Sequence, residues 1–261
     1  MTAPQPQFLE VGKGAARRRI AVLAEPGSVP GLVWLPGFKS DMASTKATAL
    51  SDWAKARGVA LTRFDYSGHG RSEGRFEDGT IGRWLEETLA VITRLTRGEQ
   101  VLIGSSMGGH IALLALRRLM AEAPAEAARI KALLLIAPAW DMTEELMWRQ
   151  FPEAARRAVM EEGVWLRPSA YGEPYPISRG LIEEGRNHLL ARKPWDPGRP
   201  VVIMHGALDQ DVPLKHSHDL VGFLQGGSTR LVTVPDGEHR LSRPQDLELL
   251  FRLLGELVAG L

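Results

Sequence analysis

The sequence predicts an α/β fold, a mostly parallel sheet with helices on both faces. Three observations lead there. Short apolar runs such as "GLVWLPG", "KALLLIAP" and "PVVIMHG" recur along the chain, and runs apolar on both faces belong to strands covered from both sides. Longer stretches between them repeat their apolar residues at helical spacing. The two kinds of segment alternate, which is the pattern of a parallel sheet wrapped by crossover helices.

Taken in order, "QFLEV" and "RRIAVL" form an antiparallel edge hairpin, and "GLVWLPG" is the first buried strand, closed by Pro36 and Gly37. A helix follows with Ala47, Leu50, Trp53 and Ala54 on one face and Gly58 as its stop. Strand "VALTRFD" leads into the glycine-rich turn "YSGHGRSEG", then a helix over 81–95 and strand "QVLIG". The next helix carries Ile111, Leu113, Leu114 and Leu116. Strands "KALLLIAP", "PVVIMHG" and "TRLVTV" complete the sheet, and a closing helix begins near Pro244 with Leu247, Leu250, Leu254 and Leu257 on its apolar face.

One segment breaks the alternation. Residues 141–197, after the sixth strand, are far longer than a plain crossover needs. They hold helical patches ("TEELMWRQF", "EAARRAVMEEG", "ISRGLIEEGRNHLL") and a loop, "RPSAYGEPYP". The expected organisation is a core of residues 1–140 and 198–261 with a small helical cap, 141–197, inserted over the C-terminal edge of the sheet.

Composition narrows the function. With 261 residues and 44% apolar content, the chain can bury one large core. A formal net charge of +1 offers no basic excess for nucleic acid. The absence of cysteine excludes disulfides, thiolate nucleophiles and Cys-ligated metals. No apolar run reaches the roughly 18 residues of a membrane span, so stable membrane insertion is not expected. The first residues show no apolar stretch ahead of "ARRR", which makes a cytoplasmic location the expectation.

The stretch "VLIGSSMGGH" sits where an apolar strand meets an apolar helix, and ligand crevices in such sheets lie at the carboxyl ends of strands. Gly104-Ser105-Ser106-Met107-Gly108 fits the G-x-S-x-G turn that presents a nucleophilic serine. The residues two before and two after the nucleophile are crowded against it. Around Ser106 these are Gly104 and Gly108; around Ser105 they would be Ile103 and Met107, whose side chains would clash. Ser106 is the candidate nucleophile.

A serine hydroxyl needs a base, and the base needs an orienting carboxylate. In this architecture the chain order is serine, acid, histidine. His69 and His110 come too early, His188 lies in the cap, His205 suits a buried strand end, and His216 and His218 follow Pro213 where a helix begins. His239, in "VPDGEHR" after the last strand, is the candidate base. In "HGALDQDVP", Asp209 is the candidate acid and Asp211 is expected to cap the following helix. Asp236 stands too close to His239 and suits a turn before Gly237. The developing oxyanion needs two N–H donors. These are assigned to the backbone of Met107 and of Phe38, since Pro36 has no N–H. Trp148, Phe151, Trp165, Tyr171 and Tyr175 make the cap aromatic; Trp165 and Tyr171 are the expected substrate contacts, unless these rings only form the cap's own core. The helix start at Pro213 argues against Asp209, Asp211 and the nearby histidines converging on a metal, and no phosphate loop or dinucleotide fingerprint is present. Neither metal nor cofactor is expected.

With "LPGF", "FDYSGHGRS", "GSSMGG", "GALDQDVP" and "GEHR" in this order, the chain resembles the α/β-hydrolase superfamily over nearly its whole length. "LPGFKSDM", "RFDYSGHGRSEG" and "GVWLRPSAY" are similar, more narrowly, to the mitochondrial group that includes a palmitoyl-protein thioesterase and acyl-glucuronide esterase. The resemblance implies the α/β-hydrolase fold, a triad of Ser106, Asp209 and His239, and oxyanion donors at Phe38 and Met107. It makes "DYSGHGRS" a structural turn beside the site. The composition looks bacterial and no transit peptide is evident, so the organelle is not carried over. The expected activity is hydrolysis of small-molecule or acyl-protein carboxylic esters or thioesters through an acyl-enzyme. Peptidase or C–C bond hydrolase chemistry shares the triad, and a non-catalytic binder could keep the fold.

Overall fold

The computed structural model describes residues 5–169, 172–190 and 193–261. Its main sheet has eight strands in the order β1-β2-β4-β3-β5-β6-β9-β10. β1 (Gln7–Val11) and β2 (Arg18–Glu25) form the antiparallel edge, and β2 also runs antiparallel to β4 (Val59–Phe64). From there β3 (Ser28–Leu35), β5 (Gln100–Ser105), β6 (Ile130–Ile136), β9 (Val201–Gly206) and β10 (Thr229–Val234) are all parallel. β5 is buried at every position, which accounts for its unbroken apolar run.

The connecting helices are α1 (Thr45–Arg57), α2 (Ile81–Leu95), α3 (Met107–Glu122) and the short α4 (Pro124–Arg129). α1 stops at Gly58, whose φ of 64° lets it take the left-handed cap position. Two apolar layers sandwich the sheet. One packs Phe64, Trp84, Leu113 and Leu135, and the other Trp34, Leu50, Leu134 and Leu254. Each fully buried aliphatic or Phe side chain contributes about 1.5–3 kcal/mol of apolar transfer, so the sheet centre carries most of the apolar burial.

Between β6 and β9 the chain builds an insertion. It contains two π-helical turns, Thr143–Trp148 and Ala158–Glu162, around α5 (Glu153–Arg157). These lead to a hairpin of β7 (Val164–Ser169) and β8 (Gly172–Ser178), then α6 (Arg179–Gly185). The segment expected as a loop, "RPSAYGEPYP", is therefore mostly hairpin: Trp165 pairs with Ile177 and Arg167 with Tyr175. A two-stranded ribbon has only edges, and edges tolerate the prolines that made this stretch look loop-like.

After β9 come α7 (Leu214–Phe223) and, after β10, α8 (Pro244–Ala259). Asp211 does not cap α7. Pro213 holds the N-cap position and has no side-chain acceptor to offer; it is Asp209 Oδ1 that gathers the turn's N–H groups, from Asp211 and Val212 at 2.9 and 2.8 Å. Among the described residues, no helix is long and apolar enough to cross a membrane.

Candidate active site

The carboxyl ends of β5, β9 and β10 bring the three candidates together. Ser106 stands between β5 and α3 with φ 53° and ψ −117°, a conformation that costs a residue with a β-carbon about 1–3 kcal/mol. The turn is over-determined by its neighbours. A Cβ on Gly104 would lie 2.4 Å from Gly108 O, and one on Gly108 would lie 2.0 Å from Leu35 O. Ser106 N–H donates to Ile136 O at 2.8 Å, which fixes the turn to the neighbouring strand. Ser105 is the last residue of β5, paired with Ile136 and buried.

His239 Nε2 lies 3.1 Å from Ser106 Oγ, and its Nδ1 lies 2.7 Å from Asp209 Oδ2. With Nδ1–H donating to the carboxylate, Nε2 presents its lone pair to the serine hydroxyl. The loops carrying acid and base are tied to each other: Leu208 N–H donates to Gly237 O at 2.9 Å. Burial pushes the Asp209 carboxyl up, but hydrogen bonds from His205, His239 and the Val212 N–H together outweigh it and hold the group well below the usual carboxylate range. Asp209 is thus ionised wherever the histidine works. His205, fully buried at the end of β9, donates from Nε2 to Val212 O at 2.8 Å and accepts from Ser217 Oγ at Nδ1, 2.6 Å away.

The loop after β3 passes directly over Ser106. A Cβ on Gly37 would meet Ser106 Cβ at 3.3 Å. Among the described residues, neither Phe38 N–H nor Met107 N–H has an acceptor. Lys39, next in the loop, has φ 56°.

A cavity of about 610 Å³ opens over Ser106 and His239, within the roughly 300–1,000 Å³ range of small-molecule sites. Its apolar wall comes from the insertion: Met142, Leu146, Met147 and Tyr175, facing Phe38. Lys39, Lys46, Arg167, Glu173, Asp211 and Arg240 add charged groups to the same lining, with Lys39 Nζ 5.4 Å from the Tyr175 ring centroid. Trp165 is not brought to this cavity. It packs edge-on against Phe151, centroids 4.8 Å apart, as part of the insertion's own core. Tyr171 lies outside the described residues. The methionine wall was missed in the sequence because unbranched, flexible Met fills cores and pockets alike and carries no periodic signal of its own.

Asp209, Asp211 and His239 bring ligand atoms within 4.8 Å of one another. Asp209 Oδ2 and His239 Nδ1 are already paired there, so a cation would compete with the bond that orients the imidazole.

A model of the alpha/beta hydrolase family matches residues 26–248. The chain is 34% identical over 234 residues to the mitochondrial palmitoyl-protein thioesterase of Pongo abelii, covering 89% of this chain and 74% of that one. A solved structure from Agrobacterium vitis S4, named as a hydrolase, superimposes with a TM-score of 0.94 at 39% identity, over 98% of this chain and all of the other (100%). Alpha/beta hydrolase domain-containing protein 10 from mouse superimposes with a TM-score of 0.86 at 28% identity, over 98% and 99% of the two chains. These relatives overturn the cytoplasmic expectation: the thioesterases matched over 89% of the chain are mitochondrial proteins. The absence of an apolar N-terminal stretch speaks only to secretion and was no guide to compartment.

Proposed function

This chain belongs to the alpha/beta hydrolase family and is a hydrolase, and from that premise we propose that it cleaves carboxylic esters or thioesters with Ser106 as nucleophile, His239 as base and Asp209 as orienting acid. The hydrogen-bonded series from Ser106 Oγ through His239 to Asp209, at 3.1 and 2.7 Å, carries the reading. His239 Nε2 takes the Ser106 proton as Oγ forms its bond to the acyl carbon. The carbonyl oxygen, now an oxyanion, is held by the N–H groups of Phe38 and Met107. The intermediate expels the alcohol or thiol, which receives the proton from His239, and leaves an acyl-Ser106. Water attacks this ester, again deprotonated by His239, and releases the acid and the free serine.

Residues 141–197 act as a cap over the core formed by 1–140 and 198–261. The acyl chain lies against Met142, Leu146 and Met147, and the leaving group meets charged groups of the lining such as Lys46 and Arg240. The kinship with palmitoyl-protein thioesterases supports long acyl chains and thioesters as members of the substrate class.

The test is a panel of p-nitrophenyl esters and acyl thioesters of increasing chain length, with fluorophosphonate labelling of the wild type and of Ser106→Ala. Turnover together with labelling at Ser106 is the expected result. A wild type that neither turns over the panel nor takes the label would overturn the reading in favour of a binder that keeps the fold.

A further inference from the structure

The glycine-rich turn after β4, which the triad does not use, reaches the loop that carries Phe38. His69 Nε2 accepts the Lys39 N–H at 3.1 Å, and His69 Nδ1 lies 3.2 Å from Ser67 O. A carbonyl oxygen only accepts, so Nδ1 carries the proton and Nε2 is a lone pair. Burial lowers the His69 pKa to about 4, so the ring stays neutral and remains an acceptor at ordinary pH.

The ring has no freedom to wander. It stands edge-on to Phe76, Trp84 and Tyr66, with centroids 5.1, 5.4 and 5.9 Å away. Its platform is held from beneath. Ser67 N–H donates to the buried Glu87 at 2.9 Å, and Trp84 Nε1 donates to Ser67 O at 3.2 Å. Asp65 fastens the same two loops a second time, accepting the Met42 N–H at 2.7 Å and the Arg71 N–H at 2.8 Å.

We infer that His69 is a positioning residue for the oxyanion site: by holding the Lys39 N–H away from the cavity it fixes the loop so that the neighbouring Phe38 N–H faces the reacting carbonyl. The inference rests on the assignment of Phe38 as an oxyanion donor. Two successive N–H groups, Phe38 and Lys39, leave one short loop. Lys39 is kept in the left-handed region, at φ 56°, by two ties, the Ser40 N–H to Gly37 O bond at 3.0 Å that closes the turn and its own N–H to His69; L-residues with a β-carbon leave that region readily when such ties weaken. Relaxing that φ turns the Phe38–Lys39 peptide and, through the shared Phe38 Cα, the peptide that carries the Phe38 N–H. The substrate's ground state loses little. The oxyanion, which exists only as the transition state is approached, loses an aligned donor.

The experiment compares His69→Phe, His69→Asn and His69→Gln on a short p-nitrophenyl ester, with Ser106→Ala alongside and thermal melts of each. Phe keeps the aromatic fit without an acceptor. Gln places an amide oxygen near the position of Nε2, and Asn is one methylene too short to reach it. His69→Phe and His69→Asn are expected to lower kcat roughly 10- to 100-fold with KM little changed, short of the ~10²–10³ for outright loss of an oxyanion donor. His69→Gln should recover most of the rate, and affinity for a trifluoromethyl ketone should follow kcat across the series. Should Phe fail to fold, the Gln–Asn pair decides. Equal rates for Gln and Asn, or wild-type kcat in either Asn or Phe while Ser106→Ala is inactive, would overturn the role of His69. Full activity in Ser106→Ala would instead overturn the serine mechanism beneath it.

Discussion

At the strand ends Gly108 leaves no space for a side chain, since a Cβ there would sit 2.0 Å from Leu35 O. In the insertion, a Cβ on Gly163 would meet nothing within 4 Å. The two regions are built on different rules. Around Ser106, backbone presses on backbone, and the positions of Oγ, Nε2 and the carboxylate follow from contacts that cannot give. In the insertion, backbone bonds build the hairpin and the helical turns, and side chains set these pieces against one another: Trp165 on Phe151, and Trp148 against the guanidinium groups of Arg156 and Arg186 at 5.4 and 5.2 Å. A frame held by the main chain suits chemistry that needs aligned atoms, and a wall held by side chains can change shape without disturbing that frame.

The sharpest way to break this contrast is at the serines. Ser106→Ala should lower kcat on the order of 10⁶-fold, while Ser105→Ala, one residue away in β5, should leave most of the activity. Stopped assays on one ester settle it, and equal losses would mean that the elbow geometry does not select the nucleophile. Next in size is the proposed acid. Asp209→Asn should cost roughly 10⁴ in kcat, since an amide orients the wrong imidazole tautomer. Asp211→Asn, whose side chain lines the cavity, should cost far less. Comparable losses would make the pair, rather than Asp209 alone, responsible for orientation.

A third comparison lies in the insertion itself. Each methylene of an acyl chain buried against Met147 and Tyr175 is worth about 0.8 kcal/mol. Met147→Ala should therefore move the preferred chain length and leave the acetyl ester nearly untouched. Trp165→Ala, which removes a ring from the insertion's core, should lower all chain lengths by one common factor. A chain-length shift in Trp165→Ala would place that ring against the substrate after all.

The same contrast decides what the sequence disclosed. Gly104 and Gly108 around Ser106, the Asp209 loop after β9 and the His239 loop after β10 were legible because each follows from local sterics and strand order. The alternating apolar runs likewise placed the strands from β3 onward in the main sheet. The insertion was legible as a departure from rhythm but not in shape. Pro168, Pro174 and Pro176 hid the hairpin, and nothing in "GVWLRP" told which end of the strand would face the cavity. Arg167 and Tyr175, at the tip, line it, whereas Trp165 and Ile177, at the base, pack inward. That division depends on where the ribbon is set down, which is a long-range matter. His69 shows the same limit: chain order set it apart from the serine, acid and histidine candidates and its turn was expected beside the site, but only the fold shows that it meets Lys39.

The joint between the two regions offers the smallest expected effect, read as stability against pH. His110, wholly buried on α3, accepts the Asp141 N–H at 3.2 Å where the insertion begins. Asp141 Oδ1 in turn accepts the Leu190 N–H at 2.6 Å near the insertion's end. Burial, with smaller contributions from His188, Arg117 and His216, lowers the His110 pKa to about 3. Above the unfolded value of about 6.5 the ring is neutral in both states and contributes no pH dependence. Between about 6.5 and 3 the unfolded chain binds a proton that the folded chain refuses, so stability falls as pH falls through this window. Below it the loss is complete. Wild-type Tm should therefore drop on acidification over that range. His69 with its pKa near 4 and His216, also lowered by burial, add to the drop. In His110→Asn the amide oxygen still accepts the Asp141 N–H but has nothing to titrate, so the curve should fall less steeply, most visibly between pH 6 and pH 4. Melts of both proteins across that interval provide the check. Parallel curves would mean that the joint yields to acid elsewhere, and that His110 does not set how firmly the insertion is tied to the strand ends.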